Sequence, residues 1–284
     1  DDVALPPFAP DSERRRRQAA KYYASIAEKE KEFAAVLDLL DRHDLRTNTV
    51  VFYADDHGDY ESDTQGNMRG KFTTYDTGLK VALMARWPGR ITPGRSGALV
   101  SFADFTPTVI ELAGGTPPDS LDGKSLVPLL ENRTHSHHQY VYGVATHQGV
   151  QQRHVFPVRS VHDDRYHYIF NFNTMERIRR EQKKGKKVNY FLVRGAERHA
   201  PTPEELLFDT SADPYELTNL AEKVAYAPVK KRLKNELFRW MRSQNDFLTE
   251  SGDIPFLTPY RHRLDEPSER FNYELPKEQV GALK

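Results

Sequence analysis

The chain has 284 residues, with 41 Lys and Arg against 41 Asp and Glu, and this zero formal net charge speaks against a dedicated nucleic-acid binder. Hydrophobic residues make up 38% and charged residues 29%, the balance of a globular chain with one large or two small domains. There is no cysteine, so disulfides and thiolate zinc sites are excluded, and no apolar run approaches the roughly 20 residues of a membrane span.

Asp1 to Pro10 has no initiator Met, no basic start and no apolar stretch, and reads as a Pro-rich loop from inside a longer protein. Ser12 is placed to cap a helix running to about His43. In that helix Tyr22, Ile26, Phe33, Leu37 and Leu40 recur at the spacing of one buried face. The run Thr49 to Ala54 is β-branched and aromatic, suits a fully buried strand, and ends in Asp55-Asp56-His57-Gly58. A polar loop leads to a second strand, Val81 to Ala85, stopped by Trp87-Pro88-Gly89. Asp104 to Ala113 reads as a helix closed by Gly114-Gly115. This alternation predicts a layered α/β domain over 1–116.

After Pro117-Pro118 the pattern becomes that of an α+β part over 117–284. Short strands are expected at 140–144, 156–161, 166–171 and 206–209, with an amphipathic helix within 224–248 covering the sheet. Glu176 to Lys187 is nearly all charged and reads as an exposed, irregular insertion. His135, His137 and His138 read as solvent-exposed loop residues.

Asp56-His57 stands at the carboxyl end of a buried strand, where ligands of open α/β sheets collect. A carboxylate beside an imidazole there offers two ligands to a divalent cation, while the bland alternative is a polar strand end facing water. Lys71, in the Gly-flanked loop Arg69 to Gly78, could meet an anion as a point charge, although most lysines are merely solvated.

Taken together these strings resemble one family. Asn48 to Phe52, Asp56-His57-Gly58, Gly70-Lys71, Thr74-Tyr75-Asp76, Arg86-Trp87-Pro88-Gly89, Val100 to Thr108 and Asp122 to Leu130 follow the order of the sulfatase family, as do Leu207-Phe208-Asp209, Asp213-Pro214-Tyr215-Glu216 and Asn219-Leu220-Ala221. The stretch Val141 to Asn173 and the region Arg239 to Phe247 are similar to N-sulfoglucosamine sulfohydrolase-like sulfatases.

The resemblance implies the C-terminal part of an alkaline-phosphatase-like mixed-sheet sandwich plus a small antiparallel-sheet subdomain with a packed helix. It implies that Asp56 and His57 ligate calcium, that Lys71 contacts sulfate as a catalytic charge, and that His147, Arg153 and His154 border the substrate. Surface loop histidines are an equally good reading of His147 and His154.

The implied activity is hydrolysis of a sulfate ester or sulfamate on a saccharide. Its formylglycine nucleophile would lie in an N-terminal half, because this chain has no Cys and no Ser-x-Pro-x-Arg string. That half and a sulfated saccharide are the implied partners, and a periplasmic, secreted or lysosomal location is the family expectation. Two alternatives stay open: a phosphodiesterase or phosphonate hydrolase of the same superfamily, and an inactive fragment or pseudoenzyme.

Overall fold

The computed structural model describes residues 3–5, 11–58, 73–146, 148–149, 154–188, 190–248, 254, 258–260 and 272–274. The chain folds into two compact units, the first made of residues 1–69 and 80–139, the second of residues 70–79 and 140–284.

The first unit opens with α1 (Glu13–Arg42), capped by the Ser12 hydroxyl, which accepts from the Arg15 N–H. The anticipated buried face of this helix is only partly covered. Ala19 is its one buried residue, and Tyr22 and Ile26 are 45% and 39% exposed. β1 (Val51–Ala54) pairs antiparallel with β2 (Leu83–Arg86), Val51 opposite Arg86 and Ala54 opposite Leu83. The expected full burial of β1 is not met: Val51 to Tyr53 are half-buried and Ala54 is exposed, in a sheet of two strands. A short 3-10 turn, Phe102–Asp104, leads into α3 (Phe105–Leu112), and α4 (Val127–Leu130) follows.

Two expectations fail here and in the second unit. His137 and His138 are not solvent-exposed: their side chains keep 6% and 15% exposure, because both rings turn toward the buried Asp104 carboxylate. Glu176 to Lys187 is not irregular either. Met175–Lys183 forms a helix, α5, capped by the Thr174 hydroxyl, and buries Arg177 and Ile178. Charge along the sequence hid an amphipathic helix with one sparse apolar face.

The second unit begins with residues 73–79, including the single turn α2 (Asp76–Leu79). Its sheet is four-stranded and antiparallel, in the order β3 (Val141–Ala145), β6 (Val158–His162), β7 (Tyr166–Asn171), β8 (Glu205–Asp209). Between β3 and β6, β4 (Gln148–Gly149) pairs with β5 (His154–Val155). After α5 comes α6 (Tyr190–Arg198), which approaches β5 so closely that a Cβ on Gly195 would collide with the Val155 carbonyl. α7 (Ala227–Ser243) closes the core, and β9 (Thr258–Tyr260) pairs with β10 (Asn272–Glu274).

The register sorts the sheet into two faces, since successive side chains point to opposite sides. Val161, Tyr168, Phe170 and Leu207 pack with Leu233, Leu237, Phe238 and Met241 of α7, a four-residue-spaced stripe worth about 1.5–3 kcal/mol per buried side chain. On the same face Tyr142 stacks on Trp240 at 4.3 Å, and buried Arg159 forms a forked pair with Asp246 at 2.6 and 3.1 Å. The opposite face carries Gly143, Ser160, His162, His167, Ile169 and Phe208. Residues 73–79 cover it: a Cβ on Gly143 would strike Leu79 and meet Thr74, and Tyr75 packs 5.9 Å from Phe208. Among the described residues no helix is long and apolar enough to cross a membrane.

Candidate metal and substrate site

β1 ends because the ladder ends. The Asp55 N–H still bonds the Ala82 carbonyl at 3.3 Å, and the chain then bends at Asp56 and His57. Asp56 Oδ1 accepts from the His57 backbone N–H at 3.1 Å, which fixes the carboxylate against its own turn. His57 Nδ1 lies 2.8 Å from the Gly58 carbonyl oxygen. A carbonyl only accepts, so the neutral ring carries its proton on Nδ1 and its lone pair on Nε2.

That lone pair stands 3.5 Å from Asp56 Oδ2. Two ligands of one cation, each about 2.4 Å from it and at right angles, are about 3.4 Å apart, so the pair fits a shared divalent ion. The Asp56 side chain is 88% exposed, so the pair is accessible, and a hard cation taking about 6–8 ligands needs most of them from elsewhere.

The structure places Asp56 and His57 side by side just after β1, 3.5 Å apart at Oδ2 and Nε2. Lys71, His147 and Arg153 lie outside the described residues. Of His154 only the backbone is described, paired with Gly149 between β5 and β4.

Sequence reasoning missed a second constellation, in the second unit. Glu216 is 1% exposed; its Oε2 accepts from the Asp76 backbone N–H at 2.8 Å and its Oε1 lies 2.5 Å from His167 Nδ1. His162 Nε2 stands 3.5 Å from Asp76 Oδ2. Burial opposes charge on His162, but Asp76, the Asp163 carbonyl and Glu216 outweigh it and raise its pKa above the usual histidine value. Two carboxylates and two imidazoles thus tie residues 73–79, just after Lys71, onto the sheet. The signal was available in Tyr75-Asp76 and Asp213-Pro214-Tyr215-Glu216, but a family motif marks a position without saying which partner it meets.

Sequence comparison matches residues 6–115 to the sulfatase family model and residues 67–182 to the model described as N-sulphoglucosamine sulphohydrolase, C-terminal. An ulvan-active sulfatase of Formosa agariphila is 39% identical over 93% of this chain and 52% of its own length, so the chain spans about half of that relative. Among solved structures, a protein in complex with its substrate D-glucosamine-2-N,6-O-disulfate superposes with a TM-score of 0.64 at 20% identity, over 84% of this chain and 42% of that one. A phosphonate monoester hydrolase of Agrobacterium radiobacter gives 0.57 at 23% identity, over 81% and 42%. At such identities the structural likenesses speak for the fold alone. That fold is the C-terminal part of the alkaline-phosphatase-like α/β architecture with its antiparallel sheet and packed helix.

Proposed function

Because the chain belongs to the sulfatase family, whose members generally bind a metal, we propose that it is the C-terminal part of an enzyme hydrolysing a sulfate ester or sulfamate on a saccharide. The observation that carries this reading is the Asp56–His57 pair, a carboxylate and an oriented imidazole lone pair 3.5 Å apart at a strand tip. The ion assigned to it is calcium, which would polarise the sulfate oxygens as a Lewis acid.

Asp56 contributes charge and one oxygen, and His57 contributes Nε2, oriented by the bond from Nδ1–H to the Gly58 carbonyl. Lys71 supplies a point charge where negative charge grows on the leaving oxygen, an interaction that strengthens toward the transition state. His147, Arg153 and His154 face the sugar in this reading.

The nucleophile and the remaining metal ligands belong to an N-terminal half, which is also the partner of the first unit. Its bare apolar surface supports this: Tyr22, Tyr23, Val36 and Leu39 of α1, Met84 of β2 and Val109 of α3 are each between 45% and 55% exposed. A periplasmic, secreted or lysosomal setting suits such a substrate.

The test is turnover by a longer protein that contains this chain, using a sulfated saccharide, a sulfamate and a phosphonate monoester. Sulfate or sulfamate cleavage is expected to dominate, and preferential phosphonate cleavage would replace this reading with the hydrolase alternative. Lys71→Ala is expected to lower kcat about 10²–10³-fold with little change in folding, while Lys80→Ala is tolerated. A change in KM alone would make Lys71 a ground-state anchor.

A further inference from the structure

Asp104 is fully buried and already holds two backbone donors. Its Oδ2 accepts from the Ser101 N–H at 2.7 Å and its Oδ1 from the Lys124 N–H at 2.8 Å. The second contact requires glycine beforehand, since a Cβ on Gly123 would collide with the Ala103 carbonyl. The carboxylate is therefore fixed in orientation, with lone pairs left on both oxygens.

Two imidazoles face those lone pairs. His138 Nε2 lies 2.8 and 3.0 Å from the two oxygens, and His137 Nε2 lies 3.3 Å from Oδ2. The His137 ring is 6% exposed, yet its Nε2 makes no hydrogen bond. A buried ring nitrogen aimed at a carboxylate without a bond to it calls for another partner. All three ligand atoms lie within 4.8 Å of one another.

We propose that Asp104, His137 and His138 form a binding site for a divalent transition metal of the zinc class, separate from the Asp56–His57 pair. Two imidazole nitrogens and one carboxylate suit such an ion, which accepts a four-ligand shell, and not calcium, which wants about 6–8 oxygens. The Ser101 and Lys124 N–H groups orient the carboxylate as outer-shell donors do in metal sites. Binding at His138 Nε2 replaces its hydrogen bond to Asp104, and the neutral ring then carries its single proton on Nδ1. The ion would join the start of α3 to the segment before β3, in a unit with few buried apolar side chains.

The test is calorimetric titration of the chelator-stripped chain, residues 1–284, with zinc and separately with calcium. One equivalent of zinc is expected in a variant carrying Asp56→Ala and His57→Ala. His137→Gln and His138→Gln are each expected to weaken zinc binding by at least about 100-fold, the upper end of what losing an outer-shell partner costs. Asp104→Ala is avoided because it also removes the contacts to Ser101 and Lys124, and circular dichroism is used to verify that the His variants fold. Zinc binding unchanged in both His variants, no zinc binding once Asp56 and His57 are removed, or calcium competing equally would each overturn the proposal.

Discussion

The first unit buries only Ala19, Pro107, Leu126 and Val127 among its described apolar side chains, whereas the second buries a continuous cluster that runs from Val155 to Ile254 around one sheet. The second therefore carries its own core between α7 and residues 73–79. Among the described residues, the first is a set of elements whose larger apolar side chains stay about half exposed. Local propensity makes helices and strands, but only burial against another layer makes a domain.

Each unit holds one of the two tryptophans, Trp87 in the first and Trp240 in the second, so the comparison can be broken experimentally. In a Trp87→Phe background, Trp240 fluorescence in urea reads the second unit alone. There Asp246→Ala is expected to cost about 3–5 kcal/mol, since it strands the Arg159 guanidinium, 3% exposed, without its partner. A cost below about 1 kcal/mol would mean that water reaches Arg159. Leu237→Ala, which opens a cavity under α7, is expected to cost about 2–5 kcal/mol by the same measurement.

Acid should separate the units next. Burial alone would raise the Glu205 carboxyl, but hydrogen bonds from Lys234, Lys230 and Tyr168 outweigh it and hold the pKa at about 2, below the ordinary 4.5. Stability from this group is thus fully present above pH 4.5 and lost as pH falls toward 2. The wild-type Trp240 transition should weaken over that window by at most about 3 kcal/mol, and Glu205→Gln should flatten the dependence. An unchanged slope in that variant would assign the acid loss to other carboxylates, Asp163 first among them.

The smallest effects should fall on the first unit. Met84→Ser and Val109→Ser are expected to shift the Trp87 transition, read in a Trp240→Phe background, by no more than about 0.5 kcal/mol, because both side chains are already more than half exposed. In a longer protein whose added part covers them, the same changes should become clearly destabilising. Equal effects in both contexts would argue against a covering layer.

The sheet of the second unit was legible almost residue by residue, with the strand at 166–171 anticipated in full. Alternation with period two writes each strand into the sequence, and Leu233, Leu237, Phe238 and Met241 write the helix that covers it. The Ser12 cap and the placement of Asp56-His57 at a strand tip are local properties and were equally readable.

What the sequence determined by itself was this local grammar, together with the family to which its motifs belong. Tertiary structure decided the rest. It took residues 73–79 to the far face of a sheet that starts some sixty positions later, where Glu216 holds Asp76 across 140 residues. It turned His137 and His138 inward onto Asp104, thirty-four positions before the nearer contact, and gave the charged run after Thr174 a buried side. Such contacts depend on which surfaces meet, and periodicity records only that a residue has a buried side, not what lies against it.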